Sequence, residues 1–284
     1  MTTFTWDTAR PLVMGILNVT PDSFTDGGQF ADPARAIAHG WAMARAGADI
    51  LDIGGESTRP GAVPVSADEE LARVLPVMEG LAAAGCGSGL ATGAAPAFCL
   101  SVDTTKAIVA ERALAAGARI VNDISALRFD PRMIEVVRNA GAGLVLMHMR
   151  GTPPTMQQEP RYADVVGEVR AFLAERVAFA ESCGLEKKQI AVDPGIGFGK
   201  TVEQNLELLA RLDELGSLDC AVLVGASRKS FLGRLLGRET PARLAGSLAV
   251  AAWALTRGAQ VLRVHDVAES VDVVRLVQAV QRAR

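Results

Sequence analysis

Short apolar runs recur along the chain between longer segments of helical character: Leu12–Val19, Ile50–Gly54, Cys99–Asp103, Arg119–Ile124, Gly143–Met149, Ile190–Pro194, Ala221–Ala226 and Gln260–His265. Each is mostly Val, Ile, Leu and Met without strict polar alternation. A strand with one face in water alternates apolar and polar residues; a strand covered on both faces does not. The runs therefore predict buried, parallel strands. Between them apolar residues fall at helical spacing, as in Ala34–Ala46 and in Tyr162–Ser182, where Val165, Val169, Phe172, Leu173 and Val177 recur. Gly47, Gly117, Gly141 and Gly258 close several of these segments just before the next strand, where a left-handed glycine lets the chain leave a helix. The final segment, Glu269 to Arg284, predicts a closing helix.

Strand–helix units in series give parallel strands through right-handed crossovers, and eight such units close a sheet on itself. The pattern predicts an α/β fold, a single (β/α)8 TIM barrel over residues 1–284, with a doubly wound open sheet as the competing architecture. A chain of 284 residues is within the usual range for one such barrel. One stretch departs from the pattern. Leu81–Ala97 is rich in Ala and Gly with little periodicity, and is expected to be a flexible insertion without function, on the face opposite the active site.

Composition acts mainly by exclusion. Hydrophobic residues make up 49% and charged residues 21%, enough for a large core and against general disorder. A net charge of −3 and a pI near 5.7 argue against a nucleic-acid groove or a polybasic membrane patch. The longest apolar stretch, Leu248 to Leu255, is too short to span a bilayer, and Met1 to Arg10 lacks the pattern of a signal peptide. Cys86, Cys99, Cys183 and Cys220 are scattered without CxxC spacing, so neither a zinc site nor a disulfide framework is expected. Together these predict a soluble, cytoplasmic protein with no nucleic-acid or membrane partner.

A parallel barrel gathers its chemistry at the C-terminal ends of its strands. Here every run ends in polar residues: Asn18 and Asp22-Ser23; Glu56-Ser57-Thr58-Arg59; Asp103-Thr104-Thr105-Lys106; Asn122-Asp123; His148 and Arg150; Asp193 and Lys200; Ser227-Arg228-Lys229-Ser230; Arg263, His265 and Asp266. Any one of them alone is equally well a helix cap. Their occurrence at one end of all eight runs points to a site. Arg59, Arg228, Lys229, Arg263 and His265 give that end positive charge on an acidic protein, which suits a phosphate or pyrophosphate. Asp103, Asn122 and Asp193 offer acceptors to a ligand edge bearing several N–H donors. No Ser–His–Asp or Cys–His signature is present, His39 looks like an exposed helical residue, and three histidines do not suggest a transition-metal site. Mg²⁺, held by an oxygen ligand such as Asn18 together with substrate phosphates, fits better.

Met14-Gly15-Ile16-Leu17-Asn18-Val19-Thr20-Pro21-Asp22-Ser23-Phe24 and Gly54-Gly55-Glu56-Ser57-Thr58-Arg59-Pro60-Gly61 resemble the two signature blocks of the dihydropteroate synthases. Ser101-Val102-Asp103-Thr104, Asn122-Asp123-Ile124, Asp193-Pro194-Gly195, Ser227-Arg228-Lys229-Ser230 and Arg263-Val264-His265-Asp266 match later blocks in the same order. Two departures are visible: Ile196 stands where an aromatic is common, and the Leu81–Ala97 insertion is longer than usual. The resemblance implies a transferase that joins 6-hydroxymethyl-7,8-dihydropterin pyrophosphate to p-aminobenzoate. It implies that Asp103, Asn122, Asp193 and Lys229 hold the pterin, that Asn18 helps hold Mg²⁺, and that Thr58, Arg263 and His265 bind the pyrophosphate. Ser230 would receive the aminobenzoate carboxylate, in a pocket shaped by Arg59, Pro60, Phe198 and Ser227. Asp103, Lys229, Arg263 and His265 would carry the catalysis, in a homodimer. A methyltetrahydrofolate–corrinoid methyltransferase would need neither Arg263 and His265 nor the Ser227–Ser230 block. A non-catalytic pterin-binding relative would tolerate loss of Asn18, Asp103 or Lys229.

Overall fold

The computed structural model describes residues 3–6, 9–20, 32–58, 61–83, 97–152, 155–156 and 160–283. Eight parallel strands close into a barrel in chain order: β1 (Leu12–Asn18), β2 (Ile50–Gly54), β3 (Cys99–Asp103), β4 (Ile120–Asp123), β5 (Gly143–Met147), β6 (Ile190–Asp193), β7 (Ala221–Val224) and β8 (Val261–Val264). The seam closes through β1 and β8, with Met14 opposite Arg263, which rules out the open sheet. Around the barrel run α1 (Pro33–Arg45), α2 (Ala67–Ala83), α3 (Ala107–Ala115), α4 (Met133–Ala140), α5 (Val165–Ser182), α6 (Val202–Ala210), α7 (Ser230–Leu236), α8 (Leu244–Thr256) and α9 (Val267–Arg282). Gly47, Gly117, Gly141 and Gly258 all take positive φ, as the helix-to-strand joints require.

Alternation along each strand separates two cores. Outward residues such as Leu17, Leu51, Ile53, Val102, Leu144 and Leu262 pack against the helices. Inward residues make a second cluster from Met14, Ile50, Ile120, Val145, Ala191, Leu223 and Val261. That inner cluster fills only the lower barrel. Trp6 plugs its base, with Nε1 donating to the Gln189 carbonyl at 2.9 Å, and Phe4 meets Trp6 edge-on at 5.2 Å. Two residues further up the same inward faces the character changes. Asp52 follows Ile50, Ser101 follows Cys99, Asn122 follows Ile120, Asp193 follows Ala191 and Arg263 follows Val261. The period of two therefore places an apolar plug below and a polar floor above it.

The expected insertion begins later than its composition suggests. Leu81 is fully buried in the last turn of α2, packed with Met78 in the barrel–helix core. Residues 84–96 of that stretch lie outside the described residues. Among the described residues no helix is long and apolar enough to cross a membrane.

Candidate active site

The polar floor is one connected network. Asp52, fully buried on β2, accepts at Oδ2 from Asn122 Nδ2 at 2.9 Å and from Arg263 Nε at 2.7 Å. Arg263 also donates through Nη2 to Asp103 Oδ2 at 2.7 Å. Burial opposes the guanidinium charge, but Asp52 and Asp103 more than offset it, so the pKa of Arg263 is raised. Asp103 keeps the imprint of burial: its carboxyl is pushed up to about 7 by desolvation, with Arg263 opposing and Asp52 adding to the rise. Oδ1 of Asp52 and Oγ of Ser101, neighbours in the β2–β3 register, are buried without a hydrogen-bond partner among the described residues. Such an atom costs about 1–3 kcal/mol, a cost the fold sustains next to a site.

Glycines at strand ends keep this floor open. A Cβ on Gly54 would stand 3.6 Å from Asn18 Oδ1 and 3.7 Å from Asp103 Oδ2, and one on Gly225 would stand 3.8 Å from Asp193 Oδ2. Asn18 and Asp103 thus flank one opening, and Asp193 borders another. Asp193, buried at the end of β6, accepts at Oδ1 from the Gly195 amide at 2.7 Å. Its pKa is raised by burial, with Lys229 opposing.

Lys229 ends the loop after β7. Its Nζ lies 4.2 Å from the centre of the Phe198 ring and donates to the Ile196 carbonyl. Burial lowers its pKa to about 8, against the pull of Asp193. Ser230 is exposed at the first position of α7. The Ser227 hydroxyl accepts from the His265 amide at 3.2 Å and meets its Nδ1 at 3.1 Å. The hydroxyl keeps a second lone pair and its own proton, so it pairs with Nδ1 in either ring tautomer. Burial, then Arg263 and Arg228, holds His265 down at about 4. Ile124, Met147, Met149 and Met156, with Phe198 packed against them, form a separate apolar cluster at the same end, a wall suited to a flat ring. A cavity of about 370 Å³ opens beside Asp103, lined by Glu56, Thr58, Thr104, Lys106, Ile124 and Phe129 among others.

The structure brings Asn18, Thr58, Asp103, Asn122, Asp193, Phe198, Ser227, Lys229, Ser230, Arg263 and His265 to one end of the barrel. Arg59 and Pro60 lie outside the described residues. Arg228, expected among the cations of the mouth, is instead paired side-on with Asp266 through Nε at 3.0 Å and through Nη2. Arg263 likewise faces two carboxylates, so the mouth is less cationic than its residue types suggested. Three participants had no role assigned to them from the sequence. Asp52 had a signal, a lone charge inside an apolar strand. Lys106 donates to Glu56 at 2.7 Å and to buried Glu70 at 2.6 Å, while Glu56 also accepts from the Val65 amide at 3.0 Å, closing the base of the loop that holds Thr58. Met147 had none, since it reads as ordinary strand.

The fold and this site define an α/β-barrel enzyme with a polar floor, an apolar wall and cations at the rim. Residues 14–265 match the pterin binding enzyme family. The chain is 45% identical over 278 residues to the dihydropteroate synthase of Escherichia coli (strain K12), covering 98% of this chain and 94% of that one. It is 45% identical over 274 residues to the dihydropteroate synthase of Mycobacterium leprae, covering 94% and 92%. Xanthomonas albilineans dihydropteroate synthase with 4-aminobenzoic acid superposes with a TM-score of 0.87 at 49% identity, covering 96% of this chain and 94% of that chain. The same enzyme in complex with 7,8-dihydropteroate gives a TM-score of 0.85 at 46% identity, covering 97% and 95%. The chain belongs to the pterin-binding enzymes and, within them, to the dihydropteroate synthases, which are transferases.

Proposed function

We propose that this chain condenses 6-hydroxymethyl-7,8-dihydropterin pyrophosphate with p-aminobenzoate, giving 7,8-dihydropteroate and pyrophosphate. The observation that carries the reading is the convergence of Asp103, Asn122, Asp193 and Lys229 at one end of the barrel, on a buried polar floor. A pterin edge offers several N–H donors and one oxo group. Two carboxylates and an amide match the donors, and the Lys229 ammonium matches the oxo group. The apolar wall of Ile124, Met147 and Phe198 suits the ring face.

The bond between the exocyclic carbon and the pyrophosphate oxygen breaks first, and the aminobenzoate nitrogen then forms the new bond to that carbon and loses a proton. The electron-rich dihydropterin tolerates positive charge on the carbon, and Asp103 in its ionised form stabilises it. An aniline is nucleophile enough for such a cation, so no strong general base is needed, in keeping with a His265 that stays neutral near pH 7. Thr58, the His265 ring and the remaining Nη1 of Arg263 serve the leaving pyrophosphate. Phe198, Ser227, Arg59 and Pro60 shape the second pocket, and Ser230 receives the aminobenzoate carboxylate.

Mg²⁺ fits the donors present. No group of three or more His, Cys, Asp or Glu suited to a metal occurs among the described residues, and Mg²⁺ commonly takes one or two protein oxygens with the rest from substrate phosphates and water. Asn18 Oδ1, beside the Gly54 opening, is the oxygen that would hold it. When bound it supplies charge neutralisation to the departing pyrophosphate.

The working form is a homodimer in the cytoplasm. Exposed Leu206, Leu235, Leu236 and Trp253 on the mutually packed α6, α7 and α8 supply an apolar face for a second copy. Cys99, Cys183 and Cys220 are free thiols, as suits a reducing compartment. The deciding assay measures pyrophosphate release with each substrate and Mg²⁺ omitted in turn. Release that persists without aminobenzoate would mean a pyrophosphohydrolase instead.

A further inference from the structure

Lys200 is a buried lysine with no part in the proposed chemistry, and its surroundings give it a job. Its Nζ lies 3.0 Å from His148 Nδ1, 3.0 Å from the Gly195 carbonyl and 3.0 Å from the Phe198 carbonyl. Carbonyls only accept, so two Nζ hydrogens are taken by Gly195 and Phe198. Burial holds the Lys200 pKa well below its ordinary value, and the contact to His148 serves either form: an ammonium donates to a bare Nδ1, and a neutral amine accepts from Nδ1–H. Burial, then Lys200 and neighbouring arginines, holds His148 down at about 2, so the ring is neutral. The ring is itself fixed, edge-on to Phe172 at 5.0 Å and tilted to Tyr162 at 6.1 Å.

The cage ties the end of β5 to the loop after β6. That loop is pressed into place from both sides. A Cβ at Gly195, φ +67°, would stand 1.9 Å from the His148 carbonyl oxygen, and one at Gly197, φ +82°, would stand 2.9 Å from Lys229 Cδ. Between these two close approaches the loop presents the Ile196 carbonyl and the Phe198 ring, both of which contact Lys229 Nζ. The two residues whose carbonyls Lys200 holds, Gly195 and Phe198, thus bracket the contact surface of Lys229.

We propose that Lys200 and His148 form a positioning pair, a buried lysine amine clamped on an imidazole, that sets the loop after β6 so that Lys229 Nζ is aimed at the pterin. The proposal rests on Lys229 meeting the pterin, as in the function proposed above. A lysine that served stability alone would, when replaced, reduce the fraction of active molecules and lower kcat while the remaining sites kept their affinity. A positioning residue changes the affinity of every site.

The experiment compares Lys200→Met, His148→Asn and His148→Leu with the unmodified protein, measuring kcat and KM for the dihydropterin pyrophosphate at saturating aminobenzoate. Asn places an amide, able to accept or donate, near the position of Nδ1; Leu keeps bulk without a polar atom. Lys200→Met and His148→Leu are each expected to raise that KM about tenfold or more, the loss of one well-aimed buried hydrogen bond. His148→Asn is expected to stay within about threefold of the unmodified protein on the same scale. An unchanged KM in Lys200→Met or in His148→Leu, whatever happens to kcat, would overturn the proposal, as would His148→Asn losing as much as His148→Leu. Should Lys200→Met fail to fold, the two His148 variants decide. Lys229→Met separates the two levels of the reading: if it leaves both constants unchanged, Lys229 does not meet the pterin; if it impairs them while the Lys200 and His148 variants keep the normal KM, only the positioning role fails.

Discussion

Arg263 on β8 and Asp52 on β2 meet beneath the site, Nε to Oδ2 at 2.7 Å, although β1 lies between their strands. The bond crosses the barrel interior. It fixes Arg263 from below while Nη2 reaches Asp103 above, so one guanidinium joins a fully buried carboxylate to a reactive one. Asn122 shares the same Asp52 oxygen. Through that oxygen three inward-facing side chains receive a common reference point.

Asp52→Asn keeps the shape and an acceptor for Asn122 but removes the buried charge opposite Arg263. Removing one partner of a buried ion pair costs about 3–5 kcal/mol, and Asp103 compensates only in part, so a loss on the order of 3 kcal/mol is expected. Urea unfolding measures it. A variant as stable as the unmodified protein would mean that Asp103 alone satisfies Arg263.

The pH dependence of kcat/KM follows from the free enzyme. Asp103, raised to about 7, must lose its proton to accept from the pterin, which gives a limb rising with pH. Lys229, lowered to about 8, must keep its proton, which gives a limb falling with pH. The profile is expected to be a narrow bell between these values. Lys229→Met should cost about 10²-fold in kcat/KM, near 3 kcal/mol, and abolish the alkaline limb. Asp103→Asn should abolish the acid limb and lower kcat more than pterin affinity. A flat profile for the unmodified protein across this range would remove both assignments.

Aminobenzoate affinity is expected to depend on the first ligand. Ser230 and Phe198 supply part of the second pocket, and the loop held at its base by Glu56 and Lys106 supplies Thr58 to the pyrophosphate. Titration calorimetry should show weak aminobenzoate binding to the free protein and tighter binding with Mg²⁺-pyrophosphate, with the reciprocal gain for pyrophosphate. Chelating the metal should return the weak binding. Equal affinity in both titrations would mean that the second pocket is preformed.

Replacing residues 84–96 with a short Gly-Ser turn is expected to leave kcat/KM largely intact. The flanking α2 end and β3 start sit at the barrel's N-terminal face, away from Asp103. Leu81→Ala, a few residues earlier, is expected to cost about 2–5 kcal/mol, because that side chain is fully buried. Activity assays and thermal unfolding of both variants test the boundary; a Leu81→Ala protein of normal stability would move it back towards the helix interior.

The sequence by itself determined the barrel and most of its mouth. Strands buried on both faces show as uninterrupted apolar runs, and polar residues that end such runs can project only from the C-terminal rim. Asp103, Asn122, Asp193, Lys229 and His265 are legible for that reason. It did not determine which charges meet. Asp52 and Arg263 are 211 residues apart, and only closure of the sheet through β1 and β8 brings them within a hydrogen bond. The pairing of Arg228 with Asp266, which takes one cation out of the mouth, and the clamp of Lys200 on His148 are likewise tertiary facts. Leu81 shows the same limit from the apolar side: in an Ala/Gly-rich stretch it reads as filler, and only the packing of α2 against the barrel makes it core. Periodicity reports which face of an element is buried. The identity of the partner across that face depends on register and closure, which no local pattern encodes.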